Sequence, residues 1–224
     1  MINIDLTNSE NRCLVTTERL DDENKFLQEY IGISNVILLA IFSKLLLLQK
    51  TSTAKNKKVA ALAFNVETKE SVCEAVNAPA KRVGICQDLN NETLEDIVHA
   101  ETNVLLHLPN DNIADIVLFC TDSPCMNCAK NIISKNIETL IFIDLHKENY
   151  KSIFYLIANG TDCYRLVNKN GTLALENIFE RYKLEIVKFT ALLKTSPEKV
   201  LSQNQDYTQY SEKTLNTAFK KRAT

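Results

Sequence analysis

The sequence predicts a three-layer α/β/α fold built on a central mixed sheet of about five strands. Two short apolar runs, residues 59–64 (VAALAF) and 72–76, flank a polar stretch that can close a hairpin. Further along, segments of helical length alternate with apolar runs of strand length, the pattern of a sheet covered on both faces. At 224 residues, with 45% hydrophobic and 24% charged side chains, the chain can bury one substantial core and has an ordinary globular composition.

Residues 1–30 are polar and acidic with a poor hydrophobic period, and read as an N-terminal arm. Residues 31–50 read as a helix. Its apolar run is broken by Ser34, Asn35, Ser43 and Lys44, which marks a buried core helix rather than a membrane span. A polar connection carrying Lys55, Lys57 and Lys58 leads into the two strands, and Asn77-Ala78-Pro79 opens a loop reaching to about residue 92. Thr93, with Asp96 three positions on, predicts a helix start that carries Ile97, Val98 and Val104-Leu105-Leu106 up to Pro109. Strand 116–120, helix 125–135, strand 140–143, helix 150–158 and strand 164–167 follow. Beyond Gly171, Leu175, Ile178, Phe179, Tyr182, Ile186, Phe189 and Leu193 recur at helical spacing. The expected organisation is an arm (1–30), one domain (31–171), and a helical extension with a polar tail (172–224).

The formal net charge of −2 provides no broad electropositive field, which argues against a polynucleotide partner. Seven cysteines are an odd number, and residues 1–10 lack the apolar core of a secretory signal. A reducing, cytoplasmic setting without a membrane span is therefore expected.

Two stretches carry chemistry: His99-Ala100-Glu101 and Pro124-Cys125-Met126-Asn127-Cys128. Zinc takes imidazole nitrogen and thiolate sulfur, and a catalytic zinc keeps three protein ligands with a fourth position open. His99, Cys125 and Cys128 supply that set. The two cysteines fall at the predicted start of a helix, where free amides and the dipole favour thiolates. Glu101 lies two positions after His99, placed to face a metal-activated water without ligating the ion. A structural zinc site needs a fourth protein ligand, and neither His107 nor Cys120 repeats a paired spacing.

The H-x-E…P-C-x-x-C arrangement resembles the zinc nucleobase deaminases, and residues 52–144 are similar to the deoxycytidylate branch of the cytidine/deoxycytidylate deaminase family. Ser52-Thr53-Ala54 with Lys58-Val59-Ala60-Ala61 resembles that branch's S-T-C…K-V-G-A entry, with Ala54 for Cys and Ala60 for Gly. Val76-Asn77-Ala78-Pro79 is similar to its G-Y-N-G-x-P stretch, although the flanking glycines and the Tyr are missing. His99 to Asn103 matches H-A-E-x-N, and Ser123 to Lys130 matches S-P-C-x-x-C-A-K. Phe142 stands where a Tyr is common, and the stretch between Asn77 and His99 holds one cysteine, Cys86, so one zinc rather than two is expected.

The resemblance implies a cytidine-deaminase-like fold, one catalytic Zn2+, and hydrolysis of dCMP to dUMP and ammonia. It implies Glu101 as proton carrier, Asn77 and Ala100 as substrate contacts, and a homo-oligomer acting on a small nucleotide. Lys57, Lys58, Lys81 and Arg82 flank the expected pocket and are candidates for the phosphate, though a solvated lysine cluster is the alternative meaning. His146, after the strand at 140–143, can sit near the pocket mouth, with a surface position the expected one. Three alternatives stay open: a tRNA or other polynucleotide deaminase, a nucleoside or guanine deaminase, and a non-catalytic zinc protein of the same fold.

Overall fold

The computed structural model describes residues 32–80, 86–87, 94, 96–109, 115–146, 149–169, 172–195 and 197. The expected arm (1–30) and the polar tail from residue 198 lie outside the described residues, as do Lys81, Arg82 and Thr93.

Ser34 caps helix α1 (Asn35–Gln49) by accepting from the Ile37 amide. Strands β1 (Ala60–Asn65) and β2 (Glu70–Val76) form the predicted hairpin. A short pair, β3 (Ala78–Pro79) and β4 (Ile97–Val98), precedes α2 (Ala100–His107). Then come β5 (Ile116–Asp122), α3 (Met126–Ser134), β6 (Thr139–Asp144), α4 (Tyr150–Ala158), β7 (Asp162–Lys169), β8 (Thr172–Asn177), α5 (Ile178–Arg181) and α6 (Lys183–Thr195).

The main sheet has the order β2-β1-β5-β6-β7-β8. Its centre is parallel, β5 with β6 and β6 with β7, while both outer pairs and the β1–β5 pair are antiparallel. Side chains alternate across the sheet. Ala61 and Ala63 of β1, Leu118 and Cys120 of β5, and Leu140 and Phe142 of β6 face a core shared with α2, α3, α4 and α6. Leu62, Phe64, Val117, Phe119, Ile141 and Ile143 face the other core, which α1 covers through Leu38, Ile41, Phe42 and Leu45. The three-layer expectation holds, and burial on both faces explains why the strands read as unbroken apolar runs.

Two helices stop on the same device. At the end of α4, Gly160 takes φ +92° and donates to Ile157 O, while Thr161 donates to Leu156 O. After α3, Asn136 takes φ 54°, Asn136 donates to Ile133 O and Ile137 to Ile132 O. Both are Schellman closures, and each turns the chain straight back into a parallel strand.

The structure corrects the sequence reading in two places. Ile97 and Val98 pair as β4 instead of opening a helix, so α2 starts later, with His99 as its N-cap residue. Two β-branched residues held against Ala78–Pro79 stay extended, which fits their strand preference. The sheet also has six strands rather than about five, because residues 172–177 continue it as β8 from Lys169↔Thr172 onward. The helical run read from Leu175 therefore begins at Ile178.

Phe119 lies at the centre of the α1 face, fully buried, edge-on to Phe42 at 5.6 Å and to Phe64 at 6.4 Å. Phe119→Ala removes a ring that cannot be refilled by collapse of a sheet, and should destabilise the fold by about 3–5 kcal/mol. Equilibrium urea unfolding checks this: a midpoint within error of the parent would show that the ring is dispensable.

Candidate active site

Lys57 precedes β1, Asn77 follows β2, Asp122 ends β5 and His146 follows β6. Because β1 runs antiparallel to β2 and β5, while β5 and β6 run parallel, all four lie at one end of the sheet. That is the carboxyl end of the parallel pair, where open α/β sheets place their ligands. A cavity of about 220 Å³ opens there, lined by Lys57, Asn77, His99, Glu101, Asp122 and His146 among others.

His99, the N-cap residue of α2, and Cys125, the N-cap residue of α3, both keep extended backbones and leave their helix capping positions without a side-chain hydrogen bond. Their side chains turn to one another instead. His99 Nδ1 lies 3.5 Å from Cys125 Sγ and 3.5 Å from Cys128 Sγ, and the two sulfurs are 3.6 Å apart. A tetrahedral zinc with ordinary bond lengths needs edges of about 3.8 Å between sulfurs and about 3.6 Å between sulfur and nitrogen. The triangle fits that ion closely, and the donor set fits its preference.

The electrostatics support thiolate character. The hydrogen-bonding contact with Cys128, with His99 alongside, holds Cys125 down to about 3. The same contact pushes Cys128 upward, and the Cys125 sulfur raises His99. Thr102 Oγ1 lies 3.5 Å from Cys128 Sγ and accepts a 3.0 Å hydrogen bond from Asn131 Nδ2. Asn131 has only hydrogens to give there, so the threonine hydroxyl is free to donate to the sulfur.

Glu101 is 3% exposed, and burial pushes its carboxyl up to about 7. It borders the cavity beside His99 without belonging to the ligand triangle. Ala100, fully buried at the first turn of α2, lines the same wall.

The other sequence candidates separate. Asn77 lines the cavity, but its amide also builds the loop: Oδ1 accepts from Ser52 Oγ (2.7 Å) and Val59 N (2.9 Å), and Nδ2 donates to Lys57 O (2.8 Å). Lys57 reaches the cavity and pairs with Asp122 at 3.2 Å. Lys58 does not: its Nζ donates to Lys50 O at the end of α1. Lys81 and Arg82 lie outside the described residues.

His146 is exposed, as expected, and it also borders the cavity, with its Nε2 2.6 Å from Asp122 Oδ1. Sequence reading passed over Asp122, Thr102 and Ser123. The Ser123 hydroxyl accepts from the His146 amide (3.1 Å) and from Asn149 Nδ2 (3.2 Å), while its own amide donates to Asp144 O (2.8 Å). This ties the approach to the cysteines to the loop that carries His146. A buried aspartate directly before Ser-Pro-Cys is a signal visible in the sequence.

Comparison with known proteins agrees with the site. Residues 39–144 match the family described as the cytidine and deoxycytidylate deaminase zinc-binding region. No curated protein matches the chain. Among solved structures, dCMP deaminase from the cyanophage S-TIM5 in complex with dCMP and dUMP is 22% identical, with a TM-score of 0.55 over 60% of this chain and 99% of that one. Its apo form gives 22% identity and 0.51 over 60% and 100%. A deaminase/reductase from Thermotoga maritima is more distant, at 14% identity and a TM-score of 0.44, over 72% of this chain and 42% of that one. Among the described residues no helix is long and apolar enough to cross a membrane.

The hydroxyl on Cys128 should matter to the metal. Thr102→Val is expected to weaken zinc affinity about 10–100-fold, the usual cost of losing a group that orients a ligand, while Thr102→Ser restores it. Competition with a chromophoric chelator measures this directly, and unchanged affinity in the valine variant would remove Thr102 from the site. Residues 39–144 of this chain thus match the cytidine and deoxycytidylate deaminase zinc-binding region, on a fold similar to that of the cyanophage structures.

Proposed function

We propose that this chain deaminates a cytosine nucleotide, converting dCMP and water to dUMP and ammonia. One observation carries the reading: a buried carboxylate, Glu101, shares a cavity with a His/Cys/Cys triangle to which it does not contribute. A purely structural metal site has no use for that carboxylate, whose burial carries a desolvation cost.

His99, Cys125 and Cys128 would hold the zinc, which when bound would supply the Lewis acidity that activates water near neutral pH. Glu101 accepts the proton that water loses and delivers it to N3 of the pyrimidine. It then takes the proton of the newly formed C4 hydroxyl and delivers that to the departing amine, so that it returns to its starting state. Asn77 and Ala100 border the cavity next to Glu101 and are assigned to holding sugar and base, which places C4 in reach of the activated water. The S-TIM5 enzyme was solved with dCMP and dUMP on this same fold, which supports the choice of substrate.

Glu101→Gln tests the assignment. The variant should keep one zinc per chain and lose about 10²–10⁴-fold in kcat, the range for a positioned acid–base group. Ammonia release from dCMP and elemental analysis are the two measurements. Near-normal turnover by the variant would refute the role of Glu101, and two tightly held ions per chain would refute the site's composition. Release of ammonia from a tRNA stem-loop but from no mononucleotide would move the activity to a polynucleotide.

A further inference from the structure

We propose that residues 20–31, the last twelve before the described chain begins, lie as a helix antiparallel along the outer face of α1, closing an apolar surface that the described residues leave open.

That surface is unusual for an outer helix. A helix covering one face of a sheet turns charged and polar side chains to solvent, yet of the fifteen residues of α1 only Lys44 is charged. The inner side, with Leu38, Ile41, Phe42 and Leu45, is buried on the sheet. On the outer side Val36 is 70% exposed and Leu47 65%, with Ala40 exposed between them. Val36, Ala40, Lys44 and Leu47 follow at steps of four, four and three, which makes one stripe along the helix. The small Ala40 near its middle lets a neighbouring helix approach.

The arm as a whole has a poor hydrophobic period, but its end mirrors this stripe. Ile31, Leu27, Glu23 and Leu20 follow backwards at the same steps of four, four and three. One antiparallel register therefore sets Ile31 on Val36, Leu27 on Ala40, Glu23 on Lys44 and Leu20 on Leu47. Three apolar pairs and one opposite-charge pair result, over about 16 Å on both sides. Lys44 already pairs with Glu74, but it is 46% exposed and its ammonium has three N–H groups, so it can serve Glu23 as well.

The connection has the form this needs. Gly32 takes φ +71°, the left-handed conformation of a residue that ends a helix, and Ser34 caps the next one. Gly32, Ile33 and Ser34 alone separate the two segments, a loop of the length that joins antiparallel helices. Ile33 is buried, and the Gly32 carbonyl accepts from Lys69 Nζ at 2.6 Å, so the chain enters α1 from a fixed point. Tethered this closely, the arm holds a high effective concentration at the face. A second copy of α1 would bring another lysine and no carboxylate.

The chain contains no tryptophan, so Leu20→Trp places a single reporter at the far end of the stripe, opposite Leu47. In the zinc-loaded full chain, acrylamide should quench it several-fold more slowly than in Leu20→Trp/Leu47→Asp, at every protein concentration. Glu23→Lys should also speed the quenching. Bound zinc, on the other face of the sheet, reports that each variant has folded. Register is read separately. Mild oxidation of Leu27→Cys/Ala40→Cys should close a disulfide within one chain, located by peptide mapping, whereas Leu27→Cys/Leu47→Cys, two helical turns out of register, should not. Equal quenching with and without Leu47→Asp would overturn the proposal, as would a cross-link forming as readily in the displaced pair as in the matched one. Shielding lost on dilution, with disulfides joining the Ala40→Cys positions of two chains, would overturn it too and assign the face to a second copy.

Discussion

The contact on which the rest depends is the approach of His99 Nδ1 to the two sulfurs of Cys125 and Cys128, and it exists because α2 and α3 begin at the same end of the sheet. Each helix start leaves backbone N–H groups without intrahelical partners and carries the positive end of a dipole. Ordinarily a Ser, Thr, Asp or Asn would occupy such a cap. Here a histidine and a cysteine stand in the two capping positions, so the field that would stabilise a cap stabilises thiolate sulfur instead. The β4 strand is part of this arrangement: by remaining extended, Ile97 and Val98 keep His99 out of the helix and aimed across at α3.

Holding this geometry requires the connections to be rigid, and the sequence supplies that rigidity by hydrogen bonds rather than by bulk. Ser123 is stitched to Asp144, His146 and Asn149, and Ser152 Oγ donates to Pro124 O at 2.5 Å. Ser123 and Pro124, directly before the cysteine turn, are thereby fixed to β6, α4 and the connection between them. On the opposite wall, Asn77 and Ser52 do the same for the entry to β1. Buried polar groups with complete partners specify one arrangement where an apolar contact would tolerate several. Glu101 is the exception in kind, a carboxyl forced upward by burial, and that local conflict with folding is the mark expected of a group kept for chemistry.

What the sequence made legible was what local chemistry decides. The cysteine spacing, the His-Ala-Glu triplet and the apolar strand runs need no knowledge of long-range pairing, and the structure keeps all of them in the roles of strand, helix start and ligand triangle. The misses involve partners distant in sequence. Ile97–Val98 reads as the start of a helix until Ala78–Pro79 is laid beside it. Leu173 and Leu175 stand at strand spacing, while Leu175 with Ile178 and Phe179 also fits a helical period, and pairing with β7 selects the strand. The Asn170-Gly171 pair between the two runs was a hairpin signal that would have separated these readings. The partner of His146 could not be read from its neighbours, since Asp122 is on another strand.

Net charge has the same limit. A value of −2 describes the molecule at long range, yet the cavity mouth holds a lysine and a histidine on one buried carboxylate. At contact distance, local placement outweighs the sum. Counting lysines along the chain did not predict that placement, because Lys57 and Lys58 are adjacent and diverge: one ammonium meets Asp122, the other the carbonyl of Lys50. Neighbouring residues on a non-helical segment project to different sides, so a doublet of basic residues offers a pocket only one of its charges. The second partner of Asp122 arrives from another element: the parallel neighbour of β5 delivers it in His146. The polar cluster at the mouth is thus a property of strand order, as the His/Cys/Cys triangle is a property of helix starts.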